Sequence, residues 1–145
     1  MAEALDTACL AIAAVVRNVP GIRQTHGYPP DSVNAFPVVV VYPGSGTYNA
    51  GPVGTRMGLH DITIDLLIPA QQATLDRDFV TLVPLVDTIP ATLLAEVSGD
   101  NAGRFSNTID TFGRIEYTFL PSVQYAADPL RGYRFVMRQV KILTN

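Results

Sequence analysis

The chain is poor in several things at once. It has one cysteine (Cys9), one lysine (Lys141) and two histidines (His26 and His60), and only 16% of its residues are charged, against about a quarter in an ordinary domain. A single cysteine excludes an intramolecular disulfide and any cysteine-based metal site. Set among Ala8, Leu10 and Ile12, it reads as a small buried hydrophobe. So little charge cannot dress the whole surface, which fits a chain that hides part of it against a partner; a compact domain with an uncharged polar surface fits as well. The balance of −3, with a pI near 5.1, argues against a general nucleic-acid binder, which normally shows a basic surplus, and leaves that reading as a distant alternative. Nine of the ten basic residues are Arg, the residue suited to planar pairing with carboxylates, although a GC-rich genome gives the same bias. Glu3 and Asp6 precede the first apolar run and Arg17 follows it, the wrong charge order for a signal peptide. No apolar stretch approaches the roughly 18–20 residues that span a bilayer. A soluble protein made in a cytoplasm is expected, with no membrane association.

What is present is an alternation of structural signals. Leu5, Ala8, Cys9, Ile12, Val15 and Val16 recur at helical spacing, predicting a helix over 3–18 that Pro20-Gly21 ends. Residues 22–36, with Tyr28-Pro29-Pro30-Asp31, lack any period and read as an extended connector. Pro37–Tyr42 is a β-branched run typical of a strand buried on both faces. Repeated Gly and Pro over 44–58 predict a flexible excursion or hairpin. Residues 59–68 alternate cleanly, with Ile62, Ile64, Leu66 and Ile68 against Asp61, Thr63 and Asp65.

Over 72–97 a helical stripe of Leu75, Phe79, Leu82, Val86, Ile89 and Leu93 meets Pro84 and Pro90. Two pieces or a kinked helix are expected, the second piece starting near Pro90. Strands follow at 113–120 and 132–142, joined by a Pro-containing loop from Pro121 to Gly132. Nothing divides the chain, so 1–145 is read as one α+β domain, a mostly antiparallel sheet with helices on one face. Asp61 and Asp65, Arg114 and Glu116, and Arg134 and Arg138 lie on the polar faces of three strands; if those strands are neighbours, acids meet bases across the sheet. A solvated polar face is the plainer alternative.

No catalytic constellation emerges. His60-x-x-x-Ile64 has no metal spacing, and neither histidine sits in a motif. Pro43-Gly44-Ser45-Gly46-Thr47 follows a strand but lacks the Gly-Lys-Ser/Thr of a phosphate loop and the register of a nucleophile elbow. Asp76 and Asp78 beside Arg77 suit a helix start better than paired acid/base work. The scattered tyrosines make no base-stacking platform. No catalytic residue, cofactor or metal ligand is assigned, and the chain is read as not an enzyme.

Phe36-Pro37-Val38-Val39-Val40-Val41-Tyr42-Pro43, Leu59–Ile68, Leu82-Val83-Pro84-Leu85-Val86-Asp87, Ile115–Phe119 and Gly132–Met137, preceded by the N-terminal helix and its connector, form an order of elements that resembles the tail terminator and tail-completion proteins, the neck and minor tail subunits of long-tailed bacteriophages. The resemblance is one of pattern over nearly the whole chain, with no signature residue. It implies a ring, commonly a hexamer, that binds the last ring of tail tube protein, stops polymerisation and offers a surface to the head–tail connector. It also implies a place in the virion neck after assembly in the host cytoplasm, with the genome passing through the lumen and no specific nucleic-acid binding. Exposure logic nominates Tyr48, Arg56, Asp61, Asp65, Arg114, Arg134 and Arg138 as interface positions, and the 44–58 and 121–132 loops as docking elements. Another neck component or a tube subunit is the nearest alternative. A small enzyme or ligand-binding domain, with His26, His60 and an acid converging in a pocket, is the more distant one.

Overall fold

The computed structural model of the chain describes residues 5–30, 33, 35–50, 56–70, 75–99, 102–125 and 128–142. It is an α+β domain in which two helices cover one face of a curled, six-stranded, mostly antiparallel sheet. Helix α1 is Leu5–Arg17 and buries the expected stripe of Ala8, Cys9, Ile12 and Val16. Strand β1 (Gln24–His26) pairs parallel with the start of β2 (Val38–Ala50), and β2 forms a long hairpin with β3 (Arg56–Pro69). Helix α2 (Leu75–Ala95) leads through a short turn, α3 (Arg104–Asn107), to β4 (Ile109–Thr111), β5 (Arg114–Tyr125) and β6 (Asp128–Ile142). The sheet order is β1-β2-β3-β6, with β4 and β5 both pairing β6.

Period-2 alternation divides the sheet between two cores. Val39, Val41, Ile62, Ile64, Leu66, Phe135 and Met137 face the helices, where Leu82, Ile89 and Leu93 of α2 are fully buried. Each of those α2 side chains contributes about 1.5–3 kcal/mol by leaving water. Val38, Val40, Leu67 and Leu130 point the other way, into a smaller cluster completed by Val33, Phe36, Tyr42 and Leu120. The connector thus folds back over one end of the outer face.

Four sequence expectations change. The connector contains β1, too short at three residues to show a period. The described part of the 44–58 excursion is regular: 44–50 continue β2 past a register shift between Pro43 and Ser45, and 56–58 begin β3; residues 51–55 lie outside the described residues. The 121–132 segment is not a loop, because β5 runs past Pro121 with a register shift between Leu120 and Val123, and β6 begins at Asp128. A bulge at a proline preserves the ladder on either side of the missing donor. Finally, of the two readings of 72–97 the single helix holds and the second piece near Pro90 does not: α2 is one element with both prolines inside it. The prolines cost the carbonyls of Val80 and Val86 their helical donors. Thr88 and Thr92 back-bond to the carbonyls of Pro84 and Thr88 at 2.8 and 2.9 Å, the contact that lets a helix bend without ending.

The turn α3 holds four successive non-glycine residues at positive φ, from 49° at Arg104 to 61° at Asn107. Each costs about 1–2 kcal/mol in that region. Burial of Phe105, fully inaccessible, pins the turn, together with Glu96: its backbone carbonyl accepts the Arg104 N–H at 2.7 Å, and its carboxylate the Phe105 N–H at 3.0 Å.

Two measurements follow from this geometry. Ser106→Gly, at an exposed position of the left-handed turn, is expected to stabilise the domain by about 1 kcal/mol in urea denaturation. Gly132→Ala is expected to destabilise it by about 2 kcal/mol or more, because a Cβ there would overlap the Leu66 carbonyl of the neighbouring strand.

Candidate functional site

The register of the central strands builds the polar half of the outer face. Asp65 of β3 lies opposite Val40 of β2 on one side and Arg134 of β6 on the other. Arg134 grips the carboxylate with two nitrogens, Nε at 2.9 Å and Nη2 at 3.2 Å, and Tyr42 donates its hydroxyl at 2.9 Å. The carboxylate is 5% exposed, yet fully engaged. Burial, then the Asp65 charge and hydrogen bond, push the Tyr42 phenol up to about 12; the same carboxylate's hydrogen bond raises the Arg134 guanidinium against its partial burial.

One repeat along the sheet, Arg138 bridges β3 and β5. Its Nη1 donates to Asp61 at 2.8 Å, and its Nε donates to Glu116, which also lies 3.5 Å from Arg114. The Gln139 N–H (3.2 Å) and Ser45 hydroxyl (3.4 Å) complete the Asp61 shell. For Asp61, partial burial works to raise the pKa but is outweighed by the Arg138 hydrogen bond, the Gln139 N–H, the Arg138 charge and the Ser45 hydroxyl, leaving it below its ordinary 3.8. Glu116 is held below 4.5 first by the Arg138 hydrogen bond, with the Arg114 and Arg138 charges adding to it.

Five of the seven nominated positions therefore fall into two intramolecular clusters on the outer face, Asp65 with Arg134 and Asp61 with Arg138 and, through Glu116, Arg114. Acids do meet bases across neighbouring strands. Tyr48 stands apart on the β2–β3 hairpin, 54% exposed, its ring edge-on to the nearly inaccessible His60 at 5.0 Å. Arg56 opens β3 opposite Ala50; its side chain lies outside the described residues. Asp78, read as a helix-start charge, instead pairs with Arg131 of β6 in a mostly buried contact. The histidines do not converge: His26 is level with Val40 and His60 with Gly46, about 20 Å apart along β2 alone at the usual strand rise. His26 Nε2 and Gln24 Oε1 are buried and, among the described residues, have no hydrogen-bond partner. Cys9, 1% exposed, has its thiol pushed up to about 11 by burial and then by Asp6, as suits an inert core residue. Among the described residues no group of His, Cys, Asp and Glu is arranged to hold a metal ion.

The surfaces left over were less legible. Pairing of β3 with β6 begins at His60, whereas β2 and β3 stay paired out to Ala50 and Arg56, so a two-stranded ribbon projects past the sheet by about 13 Å. Among the described residues, β1 covers β2 only at Val38–Val40, and no strand covers the outer side of β5. These two open edges lie at opposite sides of the sheet. Helix α2 is apolar outward as well as inward. Val80, Val83 and Leu94 are 76%, 51% and 49% exposed. Contrary to the expectation that no apolar stretch approaches a bilayer span, residues 77–95 have a mean hydropathy of 1.5, enough by length and composition to cross a membrane, and only 28% of that stretch is buried here. The inward stripe of the same helix forms the domain core. Phe79 packs on Phe119 at 5.1 Å, which brings α2 to the β5 edge, where Tyr117 is 61% exposed. The scarcity of charge over 77–95 was the available sequence signal: Arg77, Asp78 and Asp87 are the only charged residues there.

No protein-family model matches the chain, and no curated protein matches it.

The network makes two predictions. Arg134→Met leaves Asp65 buried without its cation and is expected to cost about 2 kcal/mol in chemical denaturation, with Asp65→Asn/Arg134→Met recovering part of the loss. For Asp61 and Glu116 the folded pKa lies below the unfolded one, so their stabilisation is present above 3.8 and 4.5 and is lost as pH falls through the folded values. Stability measured at pH 6, 4 and 3 should decline below about pH 4.5, and less steeply in Arg138→Gln.

Proposed function

We propose that the chain is a tail terminator subunit of a long-tailed bacteriophage, one of a ring of about six copies that caps the tail tube and receives the head–tail connector. The observation that carries the reading is the placement of the open surfaces. The two uncovered strand edges, on β2 and β5, sit at opposite sides of one sheet, so identical copies meeting through them do so head to tail. Head-to-tail contacts close into rings when the rotation allows. The exposed apolar face of α2 and Tyr117 flank the β5 edge, supplying apolar area that strand pairing alone lacks. The ribbon projects along the strands, away from the edges used for closure, and so is free to reach the tube. The fold matches the α+β order expected of such subunits, and surface capping needs no chemistry.

The same edges would serve a tube subunit, which polymerises without limit, so the test separates the two. Light scattering on a size-exclusion column, with negative-stain images of the same fraction, should give a discrete ring of about six 15.6-kDa chains. Long tubes would move the reading to a tube protein; a monomer that neither assembles nor binds added tail tubes would overturn both. Val83→Asp is expected to break the ring while leaving the melting temperature of the monomer unchanged, since Val83 is outside the core. Intact rings from that variant would remove α2 from the interface.

A further inference from the structure

We infer that the groove at the start of α2 is a second docking site, taking an extended segment of the axial neighbour that carries an apolar side chain beside an acidic one. The inference rests on the reading of the chain as a link between two axial partners. The groove lies at the end of the sheet away from the ribbon. There β2 begins, β3 ends at Pro69 and β6 pairs with it at Leu130, about 45 Å along β3 from the ribbon's end. Two cavities of about 320 and 330 Å³ open there and share Phe36 and Pro69 as walls. Each alone reaches the size of a small-ligand site. Their shared walls make a trough from Thr81 and Arg77 past Phe36 to Pro129 and Leu130, a shape suited to an extended chain.

The charge of the trough is set by one residue. Asp78 lines it but is already paired with Arg131, so the two cancel. Arg77 is exposed on the same wall, and among the described residues it pairs with no carboxylate. A guanidinium beside apolar walls pairs a planar carboxylate through two charge-assisted bonds, and the Phe36–Pro69 wall offers an apolar side chain its neighbouring site. An acidic segment also meets no unneutralised carboxylate among the described walls. Among the described residues the ribbon shows Tyr48 and Leu59 exposed, a different surface from the trough, so the two ends of the subunit suit different partners.

The test is an amide-shift titration of the isotopically labelled chain with the capped tetrapeptide Pro-Leu-Pro-Glu and its Gln counterpart. The shifts should fall at Ile68, Ala70, Thr81 and Leu130, with the Glu peptide binding about fivefold more tightly. Arg77→Gln should abolish that preference and leave the remaining amides in place. Equal binding of the two peptides, shifts elsewhere, or a preference that survives Arg77→Gln would overturn the inference. So would 4-phenylbutanoate filling the groove while neither peptide does, because the site would then belong to a small carboxylate. Groove binding by a chain that never forms rings would uphold the site and sink the terminator reading; rings whose groove ignores both peptides would do the reverse.

Discussion

Asp65 opposite Arg134 is the constraint around which the sheet is arranged. A one-residue slip between β3 and β6 would turn Asp65 into the helix-covered core and Ile64 out of it. A buried carboxylate without its cation costs several kcal/mol, so the slipped pairing is strongly disfavoured. The same register sets Gly132 against Leu67, where the backbones come too close for any side chain, and brings Arg138 between Asp61 and Glu116. Polar pairing here acts less as a source of stability than as a device that selects one alignment from several.

With that alignment fixed, the rest of the molecule has little choice. The helix-facing side of the sheet becomes continuous aliphatic surface, and α1 and α2 cover it. The outer side is closed at one end by the connector and at the other by the ion-pair network. Five nominated charges are thereby engaged within the chain, and among the described residues the surfaces still open are the backbone edges, the outward face of α2 and the two ends of the sheet. An assembly built from this subunit would draw on apolar contact and strand pairing more than on exchanged salt bridges, in keeping with its low charge.

Period-2 alternation in 59–68 and 113–120, and the helical stripe of 3–18, were legible in the sequence because each element sets apolar side chains on one face and polar ones on the other, even where, as at Thr63 and Asp65, the polar face is buried too. The conditional prediction that Asp61 and Asp65 meet Arg134 and Arg138 held because alternation puts all four on the same side once the strands are neighbours. Legibility failed where punctuation residues lie inside regular structure. Pro121 sits at a bulge within β5, Pro84 and Pro90 within α2, and Gly44, Gly46 and Gly58 within the β2–β3 hairpin, where close approach of His60 leaves Gly46 no room for a side chain. The left-handed turn at 104–107 gave no signal at all, since only one of its residues, Asn107, is of a type that enters that region readily. Phe105 is driven there by burial. The Arg77 groove is assembled from segments far apart in the chain, which no local pattern reveals.

The most direct test of the account is cryo-electron microscopy of purified cognate tail tubes incubated with the chain. The account predicts a single ring at one tube end, the β2–β3 ribbons reaching into the last tube ring, α2 and the β5 edge at each subunit boundary, and no further tube growth past the ring. Tubes that keep lengthening with the chain absent from their ends, or rings whose subunits meet through the Asp65–Arg134 face and leave α2 in solvent, would contradict it.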